Sequence, residues 1–168
     1  MSSVAFADQY QATITKITDG DTICVETSGQ RVKLRLLGID TPEKYPGKKM
    51  DKDIRRCNTT YKQMHRLGLM ATRHAETMLH KGEKVTVQTF GKGYYGRTLS
   101  FVILTDGSNY NEKEVGDGYA CVYKYRGHKS RELSVSEFKK LLGLMTQARN
   151  QRKGLWGIEP QVMERLCE

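Results

Sequence analysis

The chain has no apolar run near the roughly 18 residues that a membrane-crossing helix needs, so it reads as soluble with no membrane partner. It has no internal repeat and no low-complexity stretch, which excludes solenoid and fibrous architectures. No C-x-x-C or Cys/His spacing is present, so a structural zinc site is not expected. Acidic residues are few beside basic ones: 19 Asp and Glu against 28 Lys and Arg, a formal charge of +9. That balance makes a polyanion the default partner, although net charge speaks to association and not to fold, and a solvated basic surface is the plain alternative. Cysteines are sparse: Cys24, Cys57, Cys121 and Cys167. In an exported protein they allow up to two disulfides in three connectivities; otherwise they are free thiols.

At 168 residues the chain is long enough for one domain with a modest core, taken here as residues 9–168. Residues 1–8 read as a leader remnant or a disordered tail. Ala5-Phe6-Ala7 has the form of an A-x-A cleavage site, which implies export to the periplasm or the medium.

Residues 10–18 alternate as a strand. Residues 22–27 and 30–37 do the same around Ser28-Gly29, a two-residue hairpin signal. Folding there sets Val25 opposite Val32 and Ile23 opposite Leu34 on an apolar face. Glu26 meets Arg31 and Thr22 meets Arg35 on a polar face. The same register returns Asp21 to the end from which Asp40 and Glu43 emerge.

Residues 44–58 carry Pro, Gly and many Lys and Arg without periodicity, and read as an exposed, mobile basic loop. Thr60 with Gln63 forms a capping box, followed by Met64, Leu67, Ala71, Ala75 and Met78 at helical spacing. Strands follow at 84–90 and 99–104, joined by a Gly- and Tyr-rich segment. A short helix is expected over 109–117. Ser134 with Glu137 opens another, with Phe138, Leu141, Leu142, Met145 and Ala148 on one stripe, and Leu155-Trp156 anchors the tail. Five strands with a helix between the third and fourth fit an α+β fold, a five-stranded oligonucleotide/oligosaccharide-binding (OB) type β-barrel with about three helices.

The chemistry concentrates in Asp19-Gly20-Asp21-Thr22, Arg35 and Gly38-Ile39-Asp40-Thr41-Pro42-Glu43. Hard oxygen donors beside a cation point to a divalent metal and an anionic substrate. Taken singly, each element has a plainer reading: Asp19 and Asp21 make a tight turn, Arg35 is a solvated strand residue, Glu43 is a surface acid.

Together with Tyr95-Gly96-Arg97, these elements in this order resemble the staphylococcal nuclease (thermonuclease) family over most of residues 10–157. The resemblance implies a Ca²⁺-dependent endonuclease that hydrolyses phosphodiester bonds of DNA and RNA, leaves 3′-phosphates and acts as a monomer. It implies that Asp21 and Asp40 ligate the metal through carboxylates and Thr41 through its carbonyl. Glu43 is then the general base on the attacking water or orients it, Arg35 and Arg97 hold the scissile phosphate, and Tyr95 binds a phosphate or stacks near a base. Tyr123 or Tyr125 matches a second substrate-contacting aromatic. The 44–58 loop departs from the family pattern; Asp51 and Asp53 within it read as solvated acids or extra metal contacts. His65, His74, His80 and His128 show no partner spacing and read as surface or helix-end residues. The alternative is an OB-type nucleic-acid-binding module without chemistry, but such a module gains nothing from three carboxylates beside a phosphate.

Overall fold

The computed structural model describes residues 8–123 and 133–168. The leader-like stretch, Tyr125 and His128 lie outside them. Strands β1 (Asp8–Ile17), β2 (Thr22–Thr27), β3 (Gln30–Leu36), β5 (Lys84–Lys92) and β6 (Thr98–Ile103) close a barrel in the order β1-β2-β3-β6-β5. The β3–β6 pairing is parallel and the others are antiparallel. The hairpin register is the expected one: Val25 pairs with Val32, Ile23 with Leu34, and Thr22 with Arg35. Ser28 and Gly29 both have positive φ, as a type I′ hairpin turn requires.

Inside the barrel, Ile14, Ile23, Val25, Leu34, Val87 and Val102 are fully buried. Ala75 and Leu79 close one part of this core, at the end of helix α2 (Tyr61–Met78). Tyr110 and Val115 of α3 (Tyr110–Gly116) close another. Both expected capping boxes form, Thr60 with Gln63 at α2 and Ser134 with Glu137 at α4 (Val135–Asn150).

The helical content exceeds the three expected helices. Residues 48–57 are not a mobile loop but helix α1 (Lys48–Cys57). Met50, Ile54 and Cys57 recur at i, i+4 and i+7 and pack into a second core, while the many charges between them hid the period. This core is shared with Met64 and Leu67 of α2, Leu155 and Trp156 of α5 (Leu155–Ile158), and Val162 and Met163 of α6 (Pro160–Leu166). Leu155-Trp156 therefore anchors the tail as expected.

A two-stranded sheet that the sequence did not signal pairs β4 (Ile39–Asp40) with β7 (Cys121–Val122), setting Asp40 opposite Cys121. One disulfide joins Cys121 to Cys167, 46 residues apart, and Cys24 and Cys57 are free. The bond ties the last turn of the chain to the strand that flanks Asp40. Closing a loop of that length removes about 4 kcal/mol of unfolded-state entropy in the chain-entropy account. Cys167→Ser is expected to lower the unfolding free energy by about 2–4 kcal/mol, read from urea melts under oxidising conditions.

Candidate active site

The Asp19–Asp21 turn links β1 to β2. It is closed by Thr18 N–H and Asp19 N–H, which both donate to the Thr22 carbonyl at 3.0 and 3.2 Å. Asp19 Oδ1 accepts from the Asp21 N–H at 3.1 Å. Asp21 is thus fixed at the mouth of the barrel and is 7% exposed. Its Oδ2 accepts from Thr41 N–H at 2.9 Å and Thr41 Oγ1 at 3.2 Å, and its Oδ1 from Thr22 Oγ1 at 3.0 Å.

Arg35 sits at the end of β3. Arg31 and Lys33 on the same strand are exposed, but Arg35 is only 8% exposed. Its Nη1 donates to the carbonyls of Ile39 at 2.8 Å and Leu36 at 3.0 Å, so the chain after β3 wraps around the guanidinium. Nη2 donates to Asp40 Oδ1 at 3.1 Å, and Asp21 Oδ1 lies 3.5 Å from Nη1. One guanidinium therefore spans both acids proposed as metal ligands.

The sequence reading missed Lys49. Helix α1 brings its Nζ to 2.7 Å from Glu43 Oε1, 3.2 Å from Asp40 Oδ2 and 3.4 Å from Asp53 Oδ2. Burial opposes its charge, yet Asp40, Glu43 and Asp53 together hold it well above the usual lysine range. Asp53 is not a solvated loop acid: it is 4% exposed and paired with Lys49 and Arg56. Asp51 is exposed on α1. The only local clue was the i, i+4 spacing of Lys49 and Asp53, which carries meaning only once a helix is drawn there.

Asp21, Arg35, Asp40, Glu43 and Lys49 line a cleft of about 220 Å³ that also receives Asp19, Thr22, Tyr94, Arg97 and Tyr123. Arg97 faces the site from the β5–β6 connection, its Nε donating to the Tyr94 carbonyl at 3.2 Å. Tyr123 lies below the Arg35 guanidinium, 5.9 Å from ring centre to Cζ. Tyr95 stands outside the cleft, 95% exposed with φ of 60°, and Tyr94 lines it instead. The register of a Tyr-Tyr pair in a turn is set by the turn and not by composition. His74 is not a surface residue: its Nδ1 lies 2.6 Å from Glu114 of α3. That partner is 40 residues away, beyond any local spacing signal.

Among the described residues, no group of three or more His, Cys, Asp or Glu is gathered to hold a metal ion. The donors that face one another across Arg35 are two carboxylates, with Asp19 beside them. All are hard oxygens, the type a divalent alkaline-earth ion takes, with waters or phosphate oxygens completing the shell. The three aspartates differ in their electrostatics. Burial first, then the Asp21 charge, pushes Asp19 up to about 7. Burial also pushes Asp40 up to about 6, against the pull of Lys49. Asp21 stays below the ordinary carboxylate range: burial opposes its charge, but Arg35 and the Thr41 N–H outweigh it. The hard-oxygen chemistry of the donor set is what fits such an ion.

The family model described as staphylococcal nuclease homologue matches residues 33–157. The chain belongs to the staphylococcal nuclease family. It is 30% identical over 159 residues to "Endonuclease YhcR" of Bacillus subtilis (strain 168), spanning 93% of this chain but 12% of that protein. It is 33% identical to an "Uncharacterized endonuclease" of Escherichia coli O157:H7, covering 85% of this chain and 74% of the relative. It is 30% identical to a "Micrococcal nuclease" of Shigella flexneri, covering 98% and 82%. The family match spans the segment that carries Arg35, Asp40, Glu43 and Arg97, and the barrel is the expected OB type.

The raised Asp19 gives a signed pH dependence. A group lifted by folding contributes stability fully present below its unfolded value of 3.8 and lost as pH rises through about 7. In EDTA, Asp19→Asn is therefore expected to match wild type in stability near pH 4 and to exceed it by pH 8. Thermal melts across that range read the gap; a gap that shrinks as pH rises contradicts the assignment.

Proposed function

We propose that this protein is a hydrolytic, Ca²⁺-dependent endonuclease that cleaves phosphodiester bonds of DNA and RNA and leaves 3′-phosphate ends. The family and the endonuclease-named relatives support the nuclease part. The observation that carries the site is the convergence of Asp21, Asp40, Glu43, Arg35 and Arg97 on one cleft.

In this reading Asp21, Asp40 and the Thr41 carbonyl hold Ca²⁺, which supplies Lewis-acid stabilisation of the charge that develops on the phosphate. Arg35 and Arg97 approach the same phosphate from different elements, β3 and the β5–β6 connection. A planar fork of donors suits phosphate oxygens, and Arg35 is preorganised because backbone carbonyls already fix its Nη1 edge. Glu43 takes the proton of the attacking water and needs close placement to do so. Lys49, bonded to Glu43 at 2.7 Å, must release that carboxylate before it can accept a proton. A long, half-exposed lysine can turn from Glu43 to an incoming phosphate, which couples substrate arrival to release of the base. Tyr94 and Tyr123 supply aromatic faces at the mouth of the cleft, which favours single strands and frayed ends.

Plasmid and total RNA incubated with Ca²⁺ are expected to be degraded, and with EDTA to stay intact. Shifted but uncut bands in both tubes would identify a binding module instead. Glu43→Gln is expected to lower kcat by about 10²-fold or more while leaving Ca²⁺ affinity within a few-fold of wild type.

Gly68 of α2 offers an indirect test of Glu43 placement. A Cβ at this position would stand 2.6 Å from the Glu43 carbonyl oxygen and 2.8 Å from Lys44 Cα. Backbone cannot yield cheaply, so Gly68→Ala is expected to displace Glu43 and cut kcat by about 10-fold or more with the helix intact by circular dichroism.

A further inference from the structure

A second set of polar groups packs against the Asp19–Asp21 turn. Tyr110, at the start of α3, is fully buried, and its hydroxyl donates to the Gly20 carbonyl at 2.7 Å. Glu114, one turn further along α3, is fully buried as well. Its Oε2 accepts from His74 Nδ1 of α2 at 2.6 Å. Its Oε1 has no hydrogen-bond partner among the described residues and faces Gly20 so closely that a Cβ there would stand 2.9 Å from it. The same Cβ would stand 2.6 Å from Thr41 Cγ2. His74 is fixed in turn, with Nε2 3.1 Å from Asp117 and its ring stacked on Tyr119 at 4.0 Å.

The carbonyl that Tyr110 holds belongs to the Gly20–Asp21 peptide. The N–H of that peptide donates to Asp19 Oδ1. One peptide plane is therefore pinned at both ends, and Asp21, whose carboxylate meets Thr41 and Arg35, hangs directly from it. Packing alone does not call for these groups, because apolar side chains of similar volume fill a buried site as well as a buried ion pair does. What the polar groups add is direction: a hydroxyl fixes the rotation of a peptide where a methyl fixes only its distance.

We propose that Tyr110, Glu114 and His74 are positioning residues for the Asp19–Asp21 turn, with Tyr110 orienting the Gly20–Asp21 peptide and Glu114 of α3, fixed by His74 of α2, packed against Gly20. The proposal rests on the nuclease reading for its catalytic consequence and on geometry alone for the placement of the turn.

The test uses the full chain and Tyr110→Phe, which keeps the ring and removes only the donor. Calorimetric titration with Ca²⁺ is expected to show affinity weakened about three- to tenfold, the scale of one buried hydrogen bond. On single-stranded DNA, kcat is expected to fall by a similar factor with KM changed less than about twofold. The amide resonances of Asp21, Thr22 and Thr41 are expected to move in EDTA. His74→Leu is expected to reproduce this pattern, and His74→Gln, which restores a donor to Glu114, to recover most of it. A lowered melting temperature with wild-type Ca²⁺ affinity, kcat and amide shifts would overturn the proposal and leave the three residues as packing. Wild-type protein that neither binds Ca²⁺ nor cuts would instead overturn the nuclease reading, and the amide shifts alone would then decide the positioning claim, unmoved resonances sinking it.

Discussion

A single buried guanidinium organises this molecule's chemistry. Arg35 leaves β3 where the barrel strand ends, and the chain then turns back over it. Three backbone carbonyls, of Asp21, Leu36 and Ile39, accept from one nitrogen, and the Asp40 carboxylate accepts from the other. Asp21, from the turn that leads into β2, lies against the same group. A buried cation with this many partners is costly to form and costlier to break, since removing any acid leaves charge behind without compensation. The cluster specifies where β4 must run, and β4 carries Asp40. Structure and site therefore share one contact, which a purely apolar junction would not provide.

Around that contact the charges do not cancel evenly. Three aspartates and a glutamate converge with Arg35, Lys49 and Arg97 on one cleft. Asp19 and Asp40 are held above the ordinary carboxylate range by burial, while Asp21 is held below it by Arg35 and Thr41. Such divergence among neighbouring acids is a common mark of a functional site, although structural ion pairs produce it too. Lys49 acts here as a tethered cation. Its helix is held by the second core, which also contains Trp156 and Met163 from the C-terminal part of the chain. The tail of the protein thus bears on the cleft from a distance, through α1 on one side and through the Cys121–Cys167 bond beside β4 on the other.

The turn bearing Asp21 is held by Thr41, which donates to the Asp21 carboxylate, and by Tyr110 and Glu114 from α3. Gly20 lies between these supports. Its backbone passes through a space with no room for a side chain, which gives this glycine a packing reason beyond turn formation.

The sequence by itself determined the barrel strands, the hairpin register, both capping boxes and the convergence of Asp21, Arg35 and Asp40. Each follows from period-two alternation, a Ser-Gly turn or a three-residue capping spacing, and these signals are local. It did not show helix α1, whose apolar stripe of Met50, Ile54 and Cys57 is thin among charges and becomes meaningful only against a partner surface from α6 and α2. Nor did it show Lys49 among the acids, Tyr94 in place of Tyr95 at the cleft, the choice of Cys121 and Cys167 over the other thiols, or the bond from His74 to Glu114. Those depend on contacts between segments tens of residues apart, and only the closed barrel, by bringing α2, α3 and the C-terminal helices against its mouth, decides which of them form.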